Sequence, residues 1–337
     1  MRSVYILSNH GRLSKEGGHL MFKDRDSHCT KILPAQTDRI FIMGNSSITG
    51  DAMSMILRAK IPVTYITLGG KCMGQISYGE GKNVFLRKRQ FEQGFDEARS
   101  VEIAKSIVRG KIKNQLAFMR RIQRSRSETA DTNPMVDSIK NFLKDIARCE
   151  TKDSLRGIEG SAARQYFSVL RNNILPEWAV FTERSRNPPE TNMNAVLSFF
   201  YSLLGNYVKS AVVSCGLDPM LGNLHELTYG QDALVFDLME EFRVPVADTL
   251  TCSLFNKNVL CEGDFREADV SGNKGVYLTA AGAKKACVCF EQKIRSLVLY
   301  EPCGERLSFF QIMVEQAKHY KKVVLGDEAA YRAFYYK

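Results

Sequence analysis

One change of pattern divides this sequence, and it limits the possible folds more than any other feature. Up to about residue 84, short runs of β-branched and aromatic residues alternate with turn residues, which predicts strands at 4–7, 19–22, 39–43, 63–67 and 72–77. Beyond the glycine-rich stretch at 79–82, which predicts a hinge, apolar residues recur at helical spacing. The expected fold class is α+β, with a small β-rich domain at 1–85 and a larger all-α domain at 86–337.

Helical spacing also sets the expected helices. In the first domain Thr49 is the expected N-cap of a helix that ends near residue 60. In the second domain, helices are predicted at 101–124, 134–148, 155–170, 194–215, 233–242 and 279–299. The chain has 337 residues, which is longer than a single core usually grows, so two cores are expected.

Composition predicts a folded protein of the cytoplasm. Hydrophobic residues make up 44% and charged residues 25%, as in ordinary globular domains. The apolar runs are much shorter than the roughly 20 residues that span a membrane, and the first residues form no hydrophobic signal core. Nine cysteines without a CxxC pair indicate reduced thiols rather than a disulfide framework. No membrane partner is expected.

The net charge of +10 favours a polyanionic partner. A helix rotates by about 100° from one residue to the next. On the first long helix, this rotation places five basic residues within an arc of about 100° around the helix axis. They are Lys105, Arg109, Lys113, Arg120 and Arg124. A solvated helix face explains this arc as well as a DNA-binding track does. Further basic residues at 87–89 favour DNA.

An acidic helix and a nearby histidine form the first candidate site. Asp237, Glu240 and Glu241 have i, i+3 and i+4 spacing, so two or three carboxylates share one helix face, which is costly without a cation. His225 lies just before them in a turn-rich connector. The alternative is an ordinary solvated helix end with a capped loop histidine.

Glu159 is a second candidate, in the motif Leu-Arg-Gly-Ile-Glu-Gly at 155–160. Flanking glycines let another backbone or a ligand approach closely. We expect Glu159 in the first turn of its helix, where a carboxylate suits the helix dipole.

The ordered motifs of this chain resemble those of the CRISPR-associated integrase and endonuclease of spacer acquisition, the first CRISPR-associated protein. The resemblance covers essentially the whole chain. Besides 155–160, the motifs are Arg-Asn-Pro-Pro at 186–189, Asn-Ala-Val-Leu-Ser-Phe at 194–199, Gly-Leu-Asp-Pro-Met-Leu-Gly-Asn-Leu-His-Glu at 216–226 and Asp-Leu-Met-Glu-Glu-Phe-Arg at 237–243. The chain departs from the family after the two prolines and after Asp248, where Thr249 replaces a common arginine.

The resemblance implies a site and a reaction. Glu159, His225 and Glu240 would be ligands of Mg²⁺ or Mn²⁺, with Asp237 as an auxiliary acid, and Arg186 would contact DNA. The implied reaction joins 3′-hydroxyl ends of a short DNA to a CRISPR repeat by transesterification, with nicking of branched DNA. The implied assembly is a homodimer paired through its β domains and bound to a small ferredoxin-like adaptation protein.

Two other functions remain open at this point. One is a catalytically silent DNA-binding scaffold of a similar complex, against which the acids and histidine argue. The other is a metal-dependent RNA nuclease, against which the order of the motifs argues.

Overall fold

A strand-rich region followed by a helical region forms the chain, which confirms the predicted fold class. The computed structural model describes residues 2–8, 10–67, 72–77, 83–125, 133–186, 188–270 and 273–336. The hinge predicted at 79–82 lies outside the described residues.

Two four-stranded sheets make up the N-terminal region. Its elements are β1 Arg2–Leu7, β2 Arg12–Glu16, β3 His19–Lys23, β4 Cys29–Ile32, β5 Thr37–Met43, β6 Ser47–Ile48, α1 Gly50–Arg58, β7 Val63–Ile66 and β8 Cys72–Ile76. One sheet has the order β1-β5-β7-β8, with β8 antiparallel to three parallel strands, and the other has the order β4-β3-β2-β6. Thr49 caps α1 as predicted, because its hydroxyl oxygen accepts a hydrogen bond from the Ala52 N–H at 3.3 Å.

Strand β5 is buried on both faces and takes part in two hydrophobic cores. Ile40 and Ile42 belong to a small core that joins both sheets and α1. Phe41 and Met43 belong to a larger core made mainly by the helices. Successive side chains of a strand point to opposite faces, so β5 joins the sheet to the helical region.

A buried arginine adds a polar connection between the two regions. The Arg39 guanidinium carbon lies 3.9 Å from the ring centroid of Tyr207 and 4.4 Å from that of Phe310. On β1, Ser3 Oγ lies 2.6 Å from the Tyr207 hydroxyl, which donates to Glu291 Oε2 at 2.6 Å. The N-terminal sheet therefore packs firmly on the helices, and the domain boundary at residue 85 stays a prediction.

The helical region contains helices and two short hairpins. Its helices are α2 Val84–Phe95, α3 Glu97–Ser125, α4 Asn133–Asp145, α5 Lys152–Arg171, α6 Asn192–Ser214, α7 Ala233–Phe242, α8 Thr249–Asn256, α9 Ala280–Arg295 and α10 Phe309–Leu325. The hairpins pair β9 Phe265–Val270 with β10 Asn273–Leu278, and β11 Leu297–Tyr300 with β12 Glu305–Ser308.

Helices α2, α8 and α10 were not predicted, and the helix predicted at 279–299 is too long. It ends at Arg295 because Leu297–Tyr300 pairs as a strand with Glu305–Ser308. Gly304 allows the return of the chain, since its φ of +71° is a left-handed conformation.

Helix α6 lies in the larger core and packs against α7 and α10. Among the described residues it is the one helix whose length and composition would suit a membrane span, and 61% of its 18-residue apolar window is buried inside the fold. The packing is that of a core helix.

Candidate active site

Three helices and one loop carry the site residues, and a lysine lies between two of the predicted acids. Glu159 lies on α5, Glu240 on α7, and His225 in the loop between α6 and α7. Helix α3 packs against both α5 and α7 and carries Lys111 between the two acids. Lys111 Nζ contacts Glu159 Oε1 and lies 2.6 Å from Glu240 Oε2. Two acids remote in sequence thus share one counter-ion.

Asp237 holds the histidine loop in place. Its buried carboxylate accepts hydrogen bonds from the backbone N–H groups of Asn223, Leu224 and His225, the last two at 3.0 Å. His225 Nδ1 lies 2.8 Å from Asp237 Oδ1, and an ionised carboxylate only accepts, so Nδ1 is the donor. His225 Nε2 lies 3.8 Å from Glu240 Oε1. Nε2 is therefore the ring atom available to a cation.

The environment of His225 also favours positive charge. Burial lowers the pKa of this imidazole, but the hydrogen bond and the charge of Asp237 outweigh burial and raise the pKa above its usual value. A metal ion at Nε2 would have to displace a proton from that atom.

Glu240 is a buried acid between two basic side chains. It is 3% exposed, and its Oε2 atom lies 3.0 Å from Arg243 Nε as well as 2.6 Å from Lys111 Nζ. Neither Glu240 Oε2 nor Arg243 Nε has a partner at hydrogen-bonding angles, so these contacts are ion pairs. Burial alone raises the pKa of Glu240, but Arg243 and then Lys111 outweigh burial and lower the pKa to about 2. The acid is ionised at neutral pH.

Glu159 lies on an open face of α5. Its side chain is 26% exposed, and a Cβ at Gly157 or Gly160 would meet nothing within 4 Å. The predicted position of Glu159 in the first helical turn is wrong, because Thr151 caps α5 and puts Asp153 in that turn. Glu159 gains little from the helix dipole there, but the two glycines leave the adjoining faces of the same helical turn open to a bulky ligand.

Two basic residues of the site were not predicted. Lys111 lies outside the basic arc of α3 and next to the apolar positions Val108 and Ile112. A lysine is rarely buried without a partner, and this was the sequence signal that could have identified it. Arg243 follows Glu240 at i+3 spacing, which suits an ion pair.

The residues present fit a divalent cation. Carboxylate oxygens with one imidazole nitrogen suit Mg²⁺ or Mn²⁺. Glu240 Oε2 is buried without a hydrogen-bond donor, and the Lys111 ammonium already bridges it to Glu159. Positive charge is therefore the complement that this pair of acids requires.

Another group of possible metal ligands lies in the N-terminal region. Single ligand atoms of Asp24, Asp26 and His28 come within 4.8 Å of one another in the turn between β3 and β4. Asp24 Oδ1 accepts from the His28 N–H at 2.9 Å, which is an ordinary turn contact. We assign no site to this turn.

Exposure differs among the basic residues predicted to contact DNA. The exposed ones are Lys113, Arg120, Arg124 and Arg186, and the half-buried ones are Lys105 and Arg109. Lys105 Nζ lies 2.7 Å from Glu102 Oε1, which neutralises part of its charge. Phosphate contacts are expected mainly from the exposed group, and DNA binding by these residues stays a prediction.

Comparison with known proteins identifies the family. A family model described as CRISPR associated protein Cas1 matches residues 4–292. CRISPR-associated endonuclease Cas1 3 of Thermus thermophilus is 32% identical over 98% of this chain and 96% of the relative. A casposase bound to integration product has a TM-score of 0.88 at 21% identity, covering 98% of this chain and 93% of that chain. A chain of a Cas6-RT-Cas1–Cas2 complex has a TM-score of 0.84 at 22% identity, and the match covers 98% of this chain and 36% of that chain. The chain belongs to the CRISPR-associated protein Cas1 family.

Proposed function

We propose that this chain is a metal-dependent DNA endonuclease and integrase that inserts short foreign DNA fragments into a CRISPR array. The observation that carries the proposal is the contact of Glu159 and Glu240 with one Lys111 ammonium, with His225 Nε2 3.8 Å from Glu240 Oε1. Membership of the Cas1 family and likeness to a casposase bound to integration product support DNA as the substrate.

Glu159, His225 Nε2 and Glu240 would hold Mg²⁺ or Mn²⁺. The bound ion would polarise a DNA phosphate and stabilise the negative charge that develops on it. Asp237 accepts the hydrogen bond from His225 Nδ1 and thereby keeps Nε2 oriented toward Glu240. The absence of side chains at Gly157 and Gly160 would let the DNA backbone approach α5 closely at the turn that carries Glu159.

The proposed reaction exchanges one phosphodiester for another. The 3′-hydroxyl of the short DNA attacks a repeat phosphate, a new P–O bond forms, and the P–O bond to the departing oxygen breaks. The attacking hydroxyl loses a proton and the departing oxygen gains one. Because one phosphodiester bond replaces another, bond energy is roughly conserved and no ATP is needed. Nicking of branched DNA follows the same course with water as the nucleophile.

The proposed assembly is a homodimer that pairs through its β-rich regions and binds a small ferredoxin-like adaptation protein. Likeness to a chain of a Cas6-RT-Cas1–Cas2 complex supports a protein partner. A cytoplasmic location agrees with the nine cysteines, all of which are free thiols.

Removal of divalent ions is expected to abolish strand breakage and joining by the wild-type chain. The test incubates branched DNA, and separately a short duplex with a repeat-bearing plasmid, with Mn²⁺, with Mg²⁺ or with EDTA. Products should form with a metal ion and disappear with EDTA. Salt-sensitive DNA binding without breakage would indicate the scaffold, and preferred cleavage of single-stranded RNA would indicate the RNA nuclease. Either outcome contradicts the proposal.

The exposed basic face of α3 is expected to contribute to DNA affinity. Replacing Arg120 and Arg124 together with glutamine should weaken binding about tenfold and reduce the slope of log K against log salt by about 2. Fluorescence anisotropy over a salt series measures both quantities. The matched control removes two charges from the N-terminal region, at Arg58 and Lys60. A slope equal to that of the wild type in the α3 variant would exclude these arginines as phosphate contacts.

A further inference from the structure

The last described residues, 327–336, form an irregular segment that we call the C-terminal tail. It has no helix or strand, yet Tyr331 and Phe334 are almost fully buried. The family model matches residues 4–292 and so does not include this segment. Its contacts lie next to the candidate site.

Glu241, the neighbour of Glu240 on α7, is bound by the tail. Its carboxylate accepts hydrogen bonds from the Tyr331 hydroxyl at 2.8 Å and from the Phe334 N–H. Gln316 of α10 donates to the same carboxylate at 3.1 Å. Adjacent acids on α7 therefore have different partners, since Glu240 contacts the site lysine and Glu241 contacts the tail.

Asn114 makes the matching connection on α3, three residues beyond Lys111. Its amide nitrogen donates to the backbone oxygens of Glu241 at 2.9 Å and Phe334 at 3.1 Å. Its amide oxygen accepts from the Tyr336 N–H at 2.9 Å. One buried side chain thus ties α3, α7 and the tail together.

Gly110, directly before Lys111, lets the tail pack against α3. A Cβ at Gly110 would lie 2.4 Å from Ala333 Cβ, a distance that real side chains do not adopt. The Cα of Ala333 would be 3.7 Å away, which is ordinary contact. The close approach therefore depends on one missing methyl group at position 110.

We propose that the C-terminal tail is a positioning element of the metal site. By joining α3 to α7 at Asn114 and Glu241, it holds Glu240 of α7 in place on α3, the helix that also packs against α5 and therefore against the helix of Glu159. The tail acts through these neighbours and takes no part in the chemistry. The inference rests on the proposed function, because the spacing of these groups matters only where they bind an ion.

Two substitutions at the close contact test the proposal. Gly110→Ala should push the tail away from α3, speed hydrogen exchange at the Phe334 amide, and weaken Mn²⁺ binding roughly tenfold, as loss of an outer partner of metal ligands does. Gly110→Ala with Ala333→Gly removes the clash and should return both values to within about twofold of the wild type. Calorimetry gives the Mn²⁺ affinity, and thermal unfolding confirms that each variant is folded.

The outcomes separate the two proposals. Wild-type Mn²⁺ affinity in a Gly110→Ala chain whose tail has become exchangeable would overturn the positioning role and leave the proposed function intact. Failure of the second substitution to restore affinity would also overturn it. A wild-type chain that binds no Mn²⁺ would overturn the proposed function and this inference with it.

Discussion

Replacement of Glu240 by glutamine is expected to lower Mn²⁺-dependent strand joining by about 10³-fold, or roughly 4 kcal/mol of barrier. Glutamine keeps the size of the side chain but removes the charge that a hard cation needs. Initial rates of joining at saturating DNA measure the loss, and calorimetry should show Mn²⁺ binding weakened in parallel. Glu159→Gln and His225→Ala are expected to lose joining in the same way.

Asp264→Asn is the matched control for Glu240→Gln. Asp264 is also a buried acid with a basic partner, since its Oδ2 lies 2.7 Å from Lys285 Nζ, but it lies outside the candidate site. Both substitutions remove the charge of a buried acid, but Asp264→Asn should cost less of the free energy of unfolding, because Lys285 is 43% exposed whereas Lys111 is 10% exposed. Only Glu240→Gln should remove joining. Equal activity of the two variants would contradict the site assignment.

The order of strands and helices along the chain was largely predictable, because local sequence patterns determine most of these elements. Short β-branched and aromatic runs between turn residues identified β1, β3, β5, β7 and β8, and helical spacing identified α1, α3 and most helices up to α9. Hairpin β11–β12 was not predicted, since Leu297–Tyr300 continues the apolar positions of the helix before it. Leu297–Tyr300 forms a strand because it pairs with Glu305–Ser308, and local sequence preference alone does not predict this pairing.

The acids of the candidate site were predictable for a similar reason. Asp237 and Glu240 lie one helical turn apart, and His225 lies in the adjacent connector, so a short stretch of sequence contains three of the four residues. Glu159 was located by its glycine neighbours and by the family resemblance, although its place within α5 was wrong.

The role of Lys111 could not be predicted from sequence patterns, because it depends on contacts between helices. Its two partners lie on other helices, and its role follows from the packing of α3 against α5 and α7. The basic arc of α3 drew attention to the opposite, exposed face of the same helix. A charged residue at the edge of an apolar arc is a sign of a buried partner, but the sequence does not identify that partner.

Replacement of Lys111 by methionine is expected to make the chain depend on a divalent ion for stability. Without metal, Glu159 and Glu240 lose their shared cation, and Arg243 at 3.0 Å and His225 at 3.8 Å remain beside Glu240. Breaking a buried pair from one side costs about 3–5 kcal/mol, so the metal-free variant should unfold at clearly lower denaturant concentration than the wild type. Urea titration in EDTA measures this loss.

Mn²⁺ should restore the stability of the Lys111→Met chain, because the ion replaces the charge that the ammonium supplied. Without a competing ammonium, Mn²⁺ affinity is expected to rise about tenfold, and binding to the folded state alone then adds stability that grows with the logarithm of free Mn²⁺. The control is Lys105→Met on the same helix, whose ion pair with Glu102 lies at the surface and should contribute less than about 1 kcal/mol. If Mn²⁺ stabilised the Lys111→Met chain no more than the wild type, the ammonium and the ion would not share a site. The metal ligands would then have to be sought away from Glu159 and Glu240.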